Sequence, residues 1–223
     1  PFDAIVSNPP YSIKWDGDAN PLLINDPRFS PAGVLAPKSK ADLAFTMHML
    51  AWLSTSGTAA IVEFPGVLYR GGAEQKIRKY LIDNNYIDTV IQLPPDLFFG
   101  TTIATCIIVL KKSKNNNATL FIDASAEFVR GGNKNKLSDD NRKRILNAYV
   151  DRKDEDYFCK LIPNSEIAEN DYNIAVSSYV QQENTTEDID IEHLNARIAE
   201  IVIKQNHLRT AIDEIVADLE SSE

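Results

Sequence analysis

Cysteine is nearly missing from this sequence: there are two in 223 residues, Cys106 inside an apolar run and Cys159 well downstream. No paired spacing marks a metal site or a disulfide framework, and two thiols in so long a chain read as reduced and intracellular. Cys106 is expected to pack as a small buried hydrophobe. Long apolar runs are lacking too. None approaches the roughly 18 residues that span a bilayer, and the start has neither the basic nor the apolar region of a signal peptide. There is no initiator Met, and Phe2 already lies in a strand pattern, so the chain reads as a piece of a longer protein. Positive charge is scarce at the far end: residues 161–223 carry 3 Lys+Arg against 14 Asp+Glu, net −11, whereas residues 1–160 carry 20 against 18, net +2. The acidic end is excluded from phosphate binding, while the near-neutral body is free to approach nucleic acid. With 43% hydrophobic residues, one sizeable core and an extension are expected.

A sustained period is absent from Trp15 to Lys40, which holds four prolines and six charged residues; this is a long loop, a candidate lid or target-contacting segment. Around it, periodic elements are plain. Phe2–Val6, Thr58–Phe64, Ile87–Leu93, Ala104–Leu110 and Leu120–Asp123 read as strands, with the continuous β-branched run at 104–110 central. Ala41–Leu53 is apolar on nearly every face and reads as a covered helix that Gly57 helps to stop, with His48 a core histidine. Ala73–Asn84 reads as an amphipathic surface helix whose basic residues Lys76, Arg78 and Lys79 are solvated. The alternation of strands and helices predicts an open α/β sheet covered on its faces, with ligands beyond the carboxyl ends of its strands.

Past Asp123 the composition shifts. Arg130–Lys136 (RGGNKNK) reads as a flexible basic loop, and Ser138 as the cap of a helix with Asp139 and Asp140 in its first turn. Ile191, Leu194, Ile198, Ile201, Gln205, Leu208, Ile212, Ile215 and Leu219 alternate spacings of three and four, a coiled-coil seam that needs a partner.

The first strand ends in Ser7-Asn8-Pro9-Pro10-Tyr11. Neither proline can donate a ladder hydrogen bond, so the strand stops there. An exocyclic amino group conjugated to a ring is a poor nucleophile because its lone pair is delocalised. Two acceptors aimed at its N–H bonds draw it towards tetrahedral geometry and stabilise the charge that develops during methyl transfer. The Asn8 side-chain oxygen and the Pro9 carbonyl can be those acceptors, held extended by Pro9 and Pro10, and Tyr11 offers a face for base stacking. Leu93-Pro94-Pro95-Asp96 lacks the amide and the aromatic and reads as a turn.

Asn8-Pro9-Pro10-Tyr11 resembles the Asn-Pro-Pro-aromatic signature of S-adenosylmethionine-dependent amino methyltransferases. The blocks Ala41–Leu53, Phe64–Leu81, Leu93–Lys112 and Phe121–Phe128 are similar to the carboxyl-terminal part of the modification subunit of type I restriction-modification systems. The resemblance implies a cytoplasmic N6-adenine DNA methyltransferase. Its fold would be the carboxyl-terminal half of a Rossmann-like α/β sheet with a helical extension and a terminal coiled-coil helix. Residues 1–123 would be part of the catalytic domain, 124–185 a helical and loop extension, and 186–223 the assembly helix. Asn8, Pro9, Pro10 and Tyr11 would bind and activate a flipped-out adenine of double-stranded DNA. Phe98 or Phe99, with Phe99 preferred, would pack on its other face, and Phe45 together with Asn8 would line the cofactor. The partners implied are the DNA-specificity subunit, the restriction subunit and a second modification subunit. The family's glycine-rich cofactor loop has no counterpart here, because Gly71-Gly72 and Gly131-Gly132 lack the strand-loop-helix setting. The isolated chain is therefore expected to bind S-adenosylmethionine weakly and not to turn over. The same four residues also suit methylation of a protein glutamine or of rRNA guanine, and a non-catalytic assembly module is a further alternative.

Overall fold

The computed structural model describes residues 1–182 and 191–220. It forms two units, Pro1–Gln182 and Glu183–Glu223. The first is built on a six-stranded mixed sheet. Its strands in chain order are β1 (Phe2–Ser7), β2 (Leu53–Glu63), β3 (Ile87–Gln92), β4 (Cys106–Lys111), β5 (Ala118–Asp123) and, after a separate hairpin of β6 (Val129–Gly131) and β7 (Lys134–Lys136), β8 (Cys159–Pro163). The spatial order is β1-β2-β4-β3-β5-β8. β1 and β2 pair in parallel, as do β3 and β5, while β4 runs against both of its neighbours and β8 against β5. Four strands therefore share one direction, and β4 is central as its unbroken apolar run predicts.

Helices are α1 (Pro21–Ile24), α2 (Asp42–Trp52), α3 (Ala73–Asp83), α4 (Asp139–Asp151), α5 (Asn164–Glu169) and α6 (Ile191–Glu220). The two-residue period of a strand sorts its side chains between two cores. In β5, Phe121 joins Leu43, Met47, Ile77 and Leu81 of α2 and α3 on one face. Its neighbours Leu120 and Ile122 join Ala148 of α4 and Phe158 on the other. Cys106 is fully buried in the first core, and both cysteines are free thiols. At the sheet's edge β1 has no second strand partner among the described residues, and Val6 on it is 86% exposed.

Several local expectations are corrected. The chain enters β2 at Leu53, directly after α2, so Gly57 does not end a helix; it lies within the strand, where a Cβ would meet the Phe2 carbonyl oxygen at 2.8 Å. Arg130–Lys136 is not a flexible loop but the β6/β7 hairpin. Arg78 is not solvated: at 1% exposure it donates from Nε to the Tyr172 carbonyl (2.8 Å) and from a terminal nitrogen to the Val67 carbonyl (2.9 Å). Its partners are backbone oxygens far away in sequence, which periodicity does not reveal. Burial pulls its pKa down to about 10.

Residues after 123 also complete the sheet. Ser138 and Asn141 form a capping box for α4, and Arg152, left-handed at its end, reaches the buried Asp88 carboxylate on β3 at 3.2 Å. Buried Asn164 donates to the Ile82 carbonyl and to the side-chain oxygens of Asn85 and Asn117. The boundary expected at residue 123 thus falls inside the first unit, and the one expected at 185 lies outside the described residues. In the second unit α6 exposes the seam residues Leu194, Ile198, Ile201, Leu208, Ile212 and Ile215. No helix among the described residues is long and apolar enough to cross a membrane.

Replacing Arg78 by Met retains the aliphatic stem and strands the buried Val67 carbonyl and the half-buried Tyr172 carbonyl. The unfolding free energy should fall by about 3 kcal/mol, read from the denaturant midpoint at unchanged slope.

Candidate active site

The carboxyl ends of β1, β2 and β3 and the start of β4 share one end of the sheet, because Ser7 pairs with Ile61, Glu63 with Cys106 and Gln92 with Cys106. Asn8-Pro9-Pro10-Tyr11 leaves β1 at this end. Pro9 is buried, Asn8 and Pro10 are exposed and Tyr11 is half-buried, so the backbone is anchored while the Asn8 amide stands in solvent. The Tyr11 hydroxyl donates to Asn8 Oδ1 at 3.1 Å. An amide oxygen has two lone pairs, which leaves one for an incoming donor.

The turn out of the motif is held from α2. Ser12 takes a left-handed φ of 51°, and its N–H donates to Asp42 Oδ1 at 2.8 Å. The Ala41 N–H donates to the Ile13 carbonyl at 2.9 Å. One turn further along α2 the Thr46 hydroxyl donates to Oε1 of Glu63, the last residue of β2, at 2.8 Å. Asp42 Oδ2, Glu63 Oε2 and Thr105 Oγ1 are buried without hydrogen-bond partners. Burial pushes the Glu63 carboxyl up to about 8; the Thr46 hydrogen bond opposes this and the Asp42 charge adds to it. Glu63 is therefore a neutral acid at neutral pH. Burial raises the Tyr11 phenol, and the Glu63 charge adds to that, so Tyr11 stays a hydroxyl donor.

In the sequence Asp42 and Thr46 show only as polar breaks in the apolar run Ala41–Leu53, and Glu63 as the acid closing Ala59-Ala60-Ile61-Val62-Glu63, with no role assigned to any of them. Phe45 lies on α2, half-buried and packed against the first core. His48 stacks on Phe29 at 5.9 Å and sits in an aromatic group with Trp52; burial lowers its pKa. Residues 15–40 close on themselves through Trp15 Nε1 donating to the Pro37 carbonyl at 3.0 Å and the Trp15–Phe29 edge contact. The two phenylalanines after β3 differ: Phe98 packs into the second core, whereas Phe99 is 97% exposed. Phe99 shares the motif's end of the sheet, on the loop that leaves β3, a strand three places from β1 and so about 14 Å away at about 4.8 Å per strand.

Residues 1–188 match the family model described as N-6 DNA Methylase. The chain belongs to the N-6 DNA methylase family. It is 51% identical over 219 residues to the type I restriction enzyme MpnII methylase subunit of Mycoplasma pneumoniae, covering 98% of this chain and 40% of that protein. With the MjaVIII methylase subunit of Methanocaldococcus jannaschii it shares 34% over 224 residues, 96% of this chain and 38% of that one. The crystal structure of the type I restriction-modification methyltransferase subunit from Streptococcus thermophilus superposes with a TM-score of 0.78 at 50% identity, covering 81% of this chain and 38% of the other. The EcoKI M protein, at 14% identity and a TM-score of 0.58, covers 94% of this chain and 50% of its own and shares the fold. The chain thus spans about two fifths of the length of the curated relatives it matches.

In this member of the N-6 DNA methylase family the Glu63 carboxyl makes a testable contribution. Its folded pKa lies above the ordinary 4.5, so the folded protein keeps a proton that the unfolded chain releases. Stability from this group is complete below pH 4.5 and is lost as pH rises to about 8, by up to about 1.4 kcal/mol per pH unit. Glu63→Gln should flatten that slope. Its thermal midpoint relative to the unsubstituted protein should rise between about pH 5 and about pH 8.

Proposed function

We propose that this chain carries the target-base side of an S-adenosylmethionine-dependent methyltransferase that methylates N6 of an adenine flipped out of double-stranded DNA, within a type I restriction-modification assembly. Asn8 carries this reading: its amide oxygen is exposed at the carboxyl end of a strand, on a backbone pinned by buried Pro9 and by the Ser12–Asp42 hydrogen bond of 2.8 Å. Support for the substrate class comes from the family match and from the 51% identity to a type I methylase subunit.

The N6 lone pair is delocalised into the purine. With Asn8 Oδ1 and the Pro9 carbonyl accepting its two N–H bonds, the amine pyramidalises and its developing positive charge faces two fixed dipoles. With the Tyr11 hydroxyl donating to Asn8 Oδ1, the second lone pair of that oxygen is the one offered to the incoming amine. The Tyr11 ring stacks on one face of the base, worth about 1 to 3 kcal/mol, and Phe99 is the free ring for the other. No base is required in the motif, because the methylated amine releases its proton afterwards.

S-adenosylmethionine supplies the methyl group on a sulfonium. Asn8 and Phe45 are read as lining one side of it. Contrary to expectation, Gly71-Gly72 do lie between a strand and a helix, β2 and α3, with Gly72 at φ +71° capping the helix. A 3-10 turn over Pro65–Leu68 separates them from the strand, however, and α3 follows the second strand of the chain. The chain by itself is still read as binding the cofactor weakly and as inactive. The unpaired outer edge of β1 is where a longer chain would extend the sheet. Calorimetry on the isolated chain should find no micromolar binding. The exposed seam of α6 is read as the docking helix for the DNA-specificity subunit, with a restriction subunit and a second methylase copy completing the assembly.

In the full-length methylase assembled with its partners, Asn8→Ala should abolish transfer of a labelled methyl group to DNA, with RNA and release factor as control substrates, and leave the complex intact. The pair Leu208→Asp and Ile212→Asp should do the reverse to the complex, splitting it on size-exclusion chromatography. Unchanged methylation in the Asn8 variant would remove Asn8 from the mechanism.

A further inference from the structure

Phe99 is of use to a stacked base only if its loop is held in place, yet the chain between β3 and β4 supplies little of that restraint. Its base is closed by the Leu93 N–H donating to the Thr105 carbonyl at 2.9 Å, but nearer Phe99 its own backbone contact is a long one, from the Asp96 N–H to the Thr102 carbonyl at 3.4 Å. Gly100 beside Phe99 has φ +77°, and Asp96 sits at φ +59°, a left-handed conformation that a non-glycine residue keeps only when its surroundings impose it. The restraint comes from the β6/β7 hairpin.

Asn135 of β7 is buried, and its backbone N–H and both side-chain polar atoms are engaged. Its backbone N–H donates to the Asp96 carbonyl at 3.0 Å, its side-chain Nδ2 donates to the Pro95 carbonyl at 2.8 Å, and its Oδ1 accepts from Arg130 at 2.9 Å. Lys134 donates to the Thr101 carbonyl at 2.9 Å, gripping the returning arm. Arg130 and Lys134 also flank the Asp96 carboxylate at 3.5 and 3.6 Å, so the two cations are committed to the loop. Both arms are thus fixed, and Leu97 and Phe98 between them pack into the second core. Only Phe99 and Gly100 remain free. The hairpin forms a sheet of its own, and an isolated two-stranded hairpin is marginal in water; its contacts to this loop account for its being there.

We propose that Asn135 is a positioning residue of the target-base site: through the Pro95 and Asp96 carbonyls it sets where the Phe99 ring stands over the extruded adenine. This rests on the reading of Phe99 as a stacking residue. The Leu93-Pro94-Pro95-Asp96 turn is then the anchor of that loop and not a bare connection.

The test uses the full-length methylase complex and its recognition duplex carrying 2-aminopurine at the target adenine. Asn135→Ala should lower kcat for methyl transfer about tenfold, as expected when a reacting group is misplaced, with the cofactor KM unchanged. It should also move the 2-aminopurine emission in the same direction as Phe99→Ala does. The double variant Asn135→Ala/Phe99→Ala should be no worse than Phe99→Ala alone, because both act on one ring. Should Asn135→Ala not fold, Lys134→Met releases the Thr101 arm instead and should show the same non-additivity with a smaller loss. If Phe99→Ala is defective while the hairpin variants leave kcat and emission unchanged, or if their effects add to it, Asn135 does not position Phe99. If Phe99→Ala itself changes neither readout, the stacking reading fails and the positioning role goes with it.

Discussion

The hydrogen bond from the Ser12 N–H to the buried Asp42 carboxylate, 2.8 Å long, is the constraint around which the candidate site is arranged. A strand that ends in two prolines has no ladder to hold its tip, and the left-handed Ser12 would otherwise leave the turn free to relax. Asp42 stands at the start of α2, so the acceptors at the end of β1 are indexed to a helix packed in the main core. Glu63 and Thr46 continue the same polar line inward. Burying two carboxyl groups and a hydroxyl with unpartnered oxygens is unfavourable, and among the described residues these three lie at this one end of the sheet.

The rest of the first unit is locked by a few polar hubs of the opposite kind, buried and hydrogen-bonded across elements. Arg78 joins α3 to the segment around Tyr172, Asp88 joins β3 to the end of α4, and Asn164 joins α3 and the β4–β5 connection to α5. These explain why residues beyond 123 are part of the sheet-bearing unit and not an appendage. Each hub pairs a side chain with groups that the hydrophobic pattern alone leaves unspecified, and each is costly to leave half-made. The β6/β7 hairpin follows the same logic at the surface, with two cations and one amide committed to the turn after β3.

Much was legible in advance. β1, β3, β4 and β5 fall where β-branched runs predict them, the Ser138 cap stands where Ser-Asp-Asp suggests it, and β1 stops at Ser7, just ahead of Asn8-Pro9-Pro10, as the two prolines require. The errors share a cause. By their neighbours in sequence Gly57 reads as a helix stop, Arg78 as solvated and Arg130–Lys136 as a loose basic loop. Gly57 is needed for the close approach of the Phe2 carbonyl, Arg78 for the carbonyl of a residue 94 positions away, and Asn135 for the turn 40 positions before it.

What the chain determined by itself is therefore local: which segments are strands and helices, where they are capped, and that a rigid pair of acceptors ends the first strand. Those properties follow from backbone sterics and from side-chain spacing within a few residues. Only the tertiary structure decided the order β1-β2-β4-β3-β5-β8, the entry of β8 into that sheet, the pairing of Asp42 with Ser12 and of Thr46 with Glu63, and the difference between packed Phe98 and free Phe99. A buried hydrogen bond is specified by where two distant groups meet in space, and that meeting is a property of the assembled core rather than of either stretch of sequence.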